Sequence, residues 1–150
     1  MATSRFETEM YVAEKFVEGA GTVLFRLSTR QVCVLRPLHR DEYVLPKGRR
    51  NLGESRRTTA IRETTKETGN ALPLVASQPV QTRRIGEGEL KLIWWFMAAV
   101  IEDEPVGQRE EHKFEVEFHD YDTVLEILTD KDDRELVRKA IELTKASVAS

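Results

Sequence analysis

Glu63 and Glu67 stand four residues apart within the stretch "LPKGRRNLGESRRTTAIRETTKETGN" (45–70). On a helix that spacing places two carboxylates on one face, a turn apart. Such a pair can hold one or two Mg²⁺ or Mn²⁺ ions, because substrate phosphates and water fill the rest of the octahedron. Directly upstream, "PKGRRNLG" supplies Lys47, Arg49 and Arg50 beside Gly48 and Gly53. A loop of this kind brings cations and backbone N–H groups to a phosphate. Acids for a metal on one side and cations for phosphate on the other suit cleavage of a diphosphate, whose chemistry is mainly charge neutralisation and alignment of water. The plain alternative is a solvent-facing helix laced by Arg–Glu pairs.

Spacing decides between the two. Gly48, Glu54, Arg62, Glu63, Glu67 and Gly69 fall on the fixed positions of G-x5-E-x7-R-E-U-x-E-E-x-G-U, where U is aliphatic. Six matches with one free miss arise by chance on the order of once in ten thousand chains. The stretch resembles the Nudix box, and the order of elements over residues 19 to 128 resembles the same family. The "LPKG" opening is similar to the branch that hydrolyses dinucleoside polyphosphates and diphosphoinositol polyphosphates. The resemblance implies that Glu63 and Glu67 ligate the catalytic cations, helped by the backbone carbonyl of Lys47. It also implies that Glu54 and Arg62 brace loop against helix. A carboxylate from a later loop often completes such a site. "REEHKF" offers Glu110 or Glu111, and Glu111 is preferred because an acidic residue followed by His shortly before the last strand resembles the pattern of the polyphosphate branch. The base implied is Glu63 or Glu111.

Three positions depart from the pattern. Lys66 replaces the first Glu of the "EE" pair, and Thr64 and Asn70 stand where aliphatic residues are expected. Lys66 shares the face of Glu63. Its ammonium either takes the place of a metal ion, leaving both carboxylates ionised but poorer ligands, or swings out on its flexible stem. Two functions therefore compete: a metal-dependent pyrophosphohydrolase, and a degenerate module that binds an anionic ligand or a protein without turnover.

The elements that must position these residues can be read around them. "GTVLFRL" (21–27) and "QVCVLRPL" (31–38) are β-branched strands joined by "STR", and "MYVAEKFV" adds an edge strand or short helix. "YVLP" (43–46) is a brief strand stopped by Pro46 and Gly48. Residues 54–68 are a helix that Gly69 terminates. "LVASQPVQT" (74–82) is a weak strand with Pro79 at an edge or bulge, and "RRIGEGELK" is a turn. "LKLIWWFMAAVI" (90–101) is apolar on both alternating faces, as a strand covered on both sides should be. Trp94 and Trp95 are then core residues, the alternative for one of them being a platform for a base. "HKFEVEFHDY" is a strand with Phe114, Val116 and Phe118 on one face. Helices follow at "DTVLEIL" and "DKDDRELVRKAIELTKAS", the second with a stripe of Leu136, Val137, Ala140, Ile141 and Thr144. Strands mixed with helices able to cover both faces predict an α/β/α sandwich with a mixed sheet, one domain over 1–150.

The composition is that of a globular chain, 40% apolar and 33% charged, with net charge −3. The mild acidity argues against a nucleic-acid binder, including RNA binding by the Arg-rich loop and the Trp pair. Cations from Arg36 to Arg57 crowd one stretch, which points to a small phosphorylated molecule as partner. The single cysteine, Cys33, sits in the apolar run "VCVL" and reads as a buried strand thiol. With no leader-like or membrane-spanning run, the chain is expected to be cytoplasmic or nuclear.

Overall fold

The computed structural model describes residues 16–69, 80–86, 89–100, 102 and 113–149. Its strands are β1 (Phe16–Arg26), β2 (Gln31–Pro37), β3 (Lys47–Arg49), β4 (Val80–Gly86), β5 (Glu89–Ala99) and β6 (Phe114–Asp120). Its helices are α1 (Arg56–Thr68), α2 (Tyr121–Ile127) and α3 (Lys131–Ala149).

Among the described residues the sheet runs β4-β5-β1-β2-β6, with β3 added to β1. β1 is its hub. It runs parallel to β5 from Phe16↔Leu90 to Phe25↔Ala99, and antiparallel to β2 at its end and to β3 at Gly19–Gly21. Alternation along β1 assigns the faces. Val23 and Phe25 join Val32, Val34, Trp95 and Met97 against Val124, Leu128, Leu136, Val137, Ala140 and Ile141 of the α2–α3 side. Ala20 and Phe96 on the other face meet Ala60 of α1. Leu24, Cys33, Leu35 and Ala98 form a third cluster with Phe114, Val116 and Phe118. A mixed sheet between α1 and the α2–α3 pair is the expected α/β/α sandwich.

Several local expectations hold. Gly69 ends α1 in the left-handed region at φ 75°, where glycine meets no Cβ penalty. The helix begins at Arg56, two residues after the expected start, because Ser55 is its N-cap and accepts the Thr58 amide. The α3 stripe is buried at Leu136, Val137, Ala140 and Ile141, while Thr144 is half-buried. Trp95 is in the core and Cys33 is buried, its thiol pushed up by burial and then by the charge of Glu67.

Others need correction. Residues 43–46 are not a strand: only Val44 bridges, to Leu35. Pairing begins after the proline, and "KGR", expected as flexible loop, is β3. Glycines on β1 are the reason, since a side chain at Gly19 or Gly21 would strike the backbone oxygens of Gly48 or Pro46. β1 starts at Phe16, five residues before the expected strand, and takes in part of the undecided segment. β4 extends through residues 83–86, where a turn was expected. Residues 1–15, Asn70, 74–79 and the Glu110–Glu111 pair lie outside the described residues. Among the described residues no helix is long and apolar enough to cross a membrane.

Candidate active site

The buried face of α1 is unusually polar: Thr59, Ala60, Glu63, Thr64, Glu67 and Thr68. Glu63 and Glu67 are 8% and 6% exposed, which settles the choice between a solvated helix face and an enclosed one. Both carboxylates therefore point inward. Burying a carboxylate costs several kcal/mol unless it is paired, hydrogen-bonded or bound to a cation.

Glu63 has its partners. Arg62 Nη1 donates to its Oε1 at 2.5 Å, and its side chain lies against Gly48 so closely that a Cβ at residue 48 would overlap the carboxylate. Arg62 also holds Glu54, donating from Nε to Oε2 at 2.7 Å and from Nη2 to Oε1 at 3.0 Å. A further bond, Nη2 to the Arg49 carbonyl at 3.0 Å, ties the end of β3 to α1. Glu54 Oε1 also accepts from the Thr59 hydroxyl and the Asn51 amide. The Arg62 bond, then the Thr59 bond, hold the Glu54 carboxyl down at about 2. One guanidinium thus links the loop, the helix and Glu63.

Glu67 has contacts of its own, yet its Oε2 is buried and accepts no hydrogen bond. It lines a cavity of about 400 Å³ whose other charged walls are Arg40, Glu42, Lys47, Asp130 and Asp133. Carboxylate oxygens are the donors Mg²⁺ takes, and one or two suffice when phosphate and water complete the shell. The residues present fit a divalent ion on those terms. Among the described residues no three acidic, His or Cys side chains group closely enough to hold one ion by themselves.

The structure does not bring the three loop cations together. Arg50 turns away to Glu18 on β1 (Nη2 to Oε2, 3.3 Å) and to the Glu54 carbonyl (2.9 Å). Lys47 and Arg49 pair with Gly21 and Gly19, on the sheet face opposite Gly48 and Glu63. Lys66 is half-buried in the last turn of α1. Thr64 is fully buried, and its hydroxyl meets that of Thr22 at 2.9 Å. The departure from an aliphatic residue is therefore matched by a second hydroxyl on β1.

Sequence reasoning missed Glu18. This carboxylate, its side chain 12% exposed, takes Arg56 at 2.5 Å as well as Arg50. Burial would raise the Glu18 carboxyl, but the Arg56 hydrogen bond and the charges of Arg56 and Arg50 hold it below the usual range. Arg56 in turn lies over the Trp94 ring, 4.0 Å from its centroid, so that ring carries an internal cation. No local signal marks Glu18; its partners are more than thirty residues away.

A sequence model of the NUDIX domain matches residues 15–140. The chain belongs to the NUDIX domain family. Solved structures with this fold include a binary complex of the C. elegans Ap4A hydrolase, at TM-score 0.75 and 20% identity over 87% of this chain and 98% of that one. The E. coli ORF135 protein gives 0.66 and 18%, over 91% and 96%. A NUDIX hydrolase from Nitrosomonas europaea gives 0.64 and 18%, over 89% and 90%. A search of curated protein sequences found no significant match.

Proposed function

We propose that the chain is a divalent-metal-dependent pyrophosphohydrolase acting on a nucleoside diphosphate derivative, a dinucleoside polyphosphate or a diphosphoinositol polyphosphate. The observation that carries this reading is the burial of Glu63 and Glu67 on one face of α1, with Glu67 opening onto a cavity large enough for part of a ligand. A binding scaffold has no physical need to keep two carboxylates there. The likeness to the Ap4A hydrolase of C. elegans supports a polyphosphate substrate. A buried, free Cys33 suits a reducing compartment, cytoplasmic or nuclear.

Glu63, Glu67, the Lys47 carbonyl and Glu111 would hold Mg²⁺ or Mn²⁺, which when bound neutralises phosphate charge and makes water more acidic. Glu63 or Glu111 takes the proton from the water that attacks phosphorus. Arg62 and Glu54 keep Glu63 in place, Lys47 and Arg49 steady phosphate, and Arg50 holds the loop through Glu18 and Glu54.

A second reading, a module that binds an anion or a protein without turnover, is favoured by Lys66 in the acidic pattern and by the Arg62 hold on Glu63 Oε1. The protein should be incubated with Mg²⁺ or Mn²⁺ and a panel of nucleotide sugars, dinucleoside polyphosphates and inositol pyrophosphates. Metal-dependent release that is lost in Glu67→Gln supports the hydrolase. Absence of release throughout, with activity gained in Lys66→Glu, establishes the second reading.

A further inference from the structure

Arg50 and Arg56 bound the loop that carries Glu54, and one carboxylate holds both. Glu18 Oε1 accepts from Arg56 Nε at 2.5 Å, and its Oε2 pairs with Arg50 Nη2 at 3.3 Å. The Arg50 amide donates to the Glu18 carbonyl at 2.9 Å, so backbone and side chain of one residue close the segment 50–56. Glu18 shares its face of β1 with Ala20 and Thr22, which meet Ala60 and Thr64 of α1. It stands opposite Leu92 within the parallel β1–β5 pairing. The anchor is therefore a strand residue inside the sheet, and what it anchors is a loop.

The tip of that loop packs on nothing. Asn51, Leu52 and Gly53 are exposed, and a Cβ on Gly53 would meet no atom within 4 Å. With no apolar burial there, the shape of the loop rests on polar bonds, which open locally at low cost. From Glu18 these bonds run in a chain. Arg50 Nη1 donates to the Glu54 carbonyl at 2.9 Å. The Glu54 carboxylate takes two bonds from Arg62, at 2.7 and 3.0 Å. Arg62 Nη1 then reaches Glu63 Oε1 at 2.5 Å.

Arg62 is thus shared between two acids, and Glu54 holds the larger part. A guanidinium released by one carboxylate completes a two-point pair with its neighbour. Once Glu54 withdraws, Arg62 closes on both oxygens of Glu63. Whatever keeps Arg62 on Glu54 therefore leaves Glu63 Oε2 for the reaction.

We propose that Glu18 is a positioning residue for Glu63, acting through Arg50, Glu54 and Arg62. This rests on the hydrolase reading and adds to it a residue outside the box pattern. The effect of Glu18 falls on kcat and not on KM, because Lys47 and Arg49, assigned to phosphate, keep their own pairing with β1.

The first readout needs neither metal nor turnover. Hydrogen exchange at the Arg62 Nε–H, followed by NMR and assigned by its loss in Arg62→Lys, reports the bond to Glu54. It should quicken about tenfold in Glu18→Gln and stay unchanged in Glu135→Gln, which removes an exposed ion pair on α3. Unchanged exchange in Glu18→Gln overturns the proposal. With Mg²⁺ and diadenosine tetraphosphate, Glu18→Gln should lower kcat about tenfold at constant KM. Arg50→Lys keeps the charge but loses the fork that joins Glu18 to Glu54. It should give the same fall, and the double variant no more than either alone. Losses that multiply, a raised KM at normal kcat, or a loss that merely follows the folded fraction overturns the role of Glu18. Where Glu18→Gln fails to fold, Arg50→Lys carries both readouts. Quickened exchange with no turnover of any substrate by the wild type keeps the link from Glu18 to Arg62 and removes the hydrolase reading. Normal kcat in both variants keeps that reading and overturns the proposal.

Discussion

The hydroxyls of Thr22 on β1 and Thr64 on α1 meet at 2.9 Å with both residues fully buried. Each satisfies the other, so a polar residue in an aliphatic position is no defect as long as its partner is kept. Thr64→Val should leave the Thr22 hydroxyl unsatisfied and destabilise the fold by about 1–3 kcal/mol. The double replacement Thr22→Val/Thr64→Val should restore most of that loss. Urea unfolding of the two single variants and the double reads the coupling directly, and additive losses would exclude it.

Gly48 has a steric role toward Glu63. Gly48→Ala places a methyl group where the carboxylate now lies, so either β3 or Glu63 has to move. If Glu63 works in the reaction, kcat should fall on the order of 100-fold, the effect of displacing a catalytic group by about 1 Å. Steady-state kinetics beside a melting curve separates this from simple unfolding: a normal kcat in Gly48→Ala would show that the methyl group is accommodated without displacing a working Glu63.

The Glu54 carboxyl, held at about 2 against an ordinary value of 4.5, makes stability depend on acidity. Its unfolded form binds a proton at higher pH than its folded form does, so the unfolded state gains protons first. The contribution is complete above about pH 4.5 and disappears as pH falls through about 2. Glu54→Gln should lack this component, and its urea midpoint should vary less steeply with pH in that window. Parallel curves for the two proteins would contradict the assignment.

Glu18 restrains two arginines at once. Glu18→Ala should cost about 2 kcal/mol, since Arg50 and Arg56 both lose a charged acceptor. The partly buried Trp94 beneath Arg56 offers an optical readout: its emission should shift in Glu18→Ala more than in Glu18→Gln. Unchanged emission in both would show that Arg56 keeps its place without Glu18.

The long elements were legible because their signals are local. The stop of α1, the apolar β5 and the alternating β6 follow from side-chain period and turn chemistry within a dozen residues. β3 was not legible, because "PKGR" reads as punctuation until Gly19 and Gly21, nearly thirty residues earlier, let its backbone approach. The box residues of α1 could be placed by spacing, and two of them, Arg62 and Glu54, meet in space. The loop cations could not be sorted. Arg50 is taken by Glu18, Arg36 by acids of β6, and only strand register separates Lys47 and Arg49 from them.

The ten-residue parallel pairing of β1 with β5 governs how the chain reaches its native state. About seventy residues separate the partners, so closing that loop is entropically expensive and late, and refolding should be slow for so small a chain. During synthesis β1 and β2 leave the ribosome well before β5, exposing an unpaired apolar edge in the interval. That nascent hairpin is where self-association is most to be expected, and where a chaperone would have most to shield.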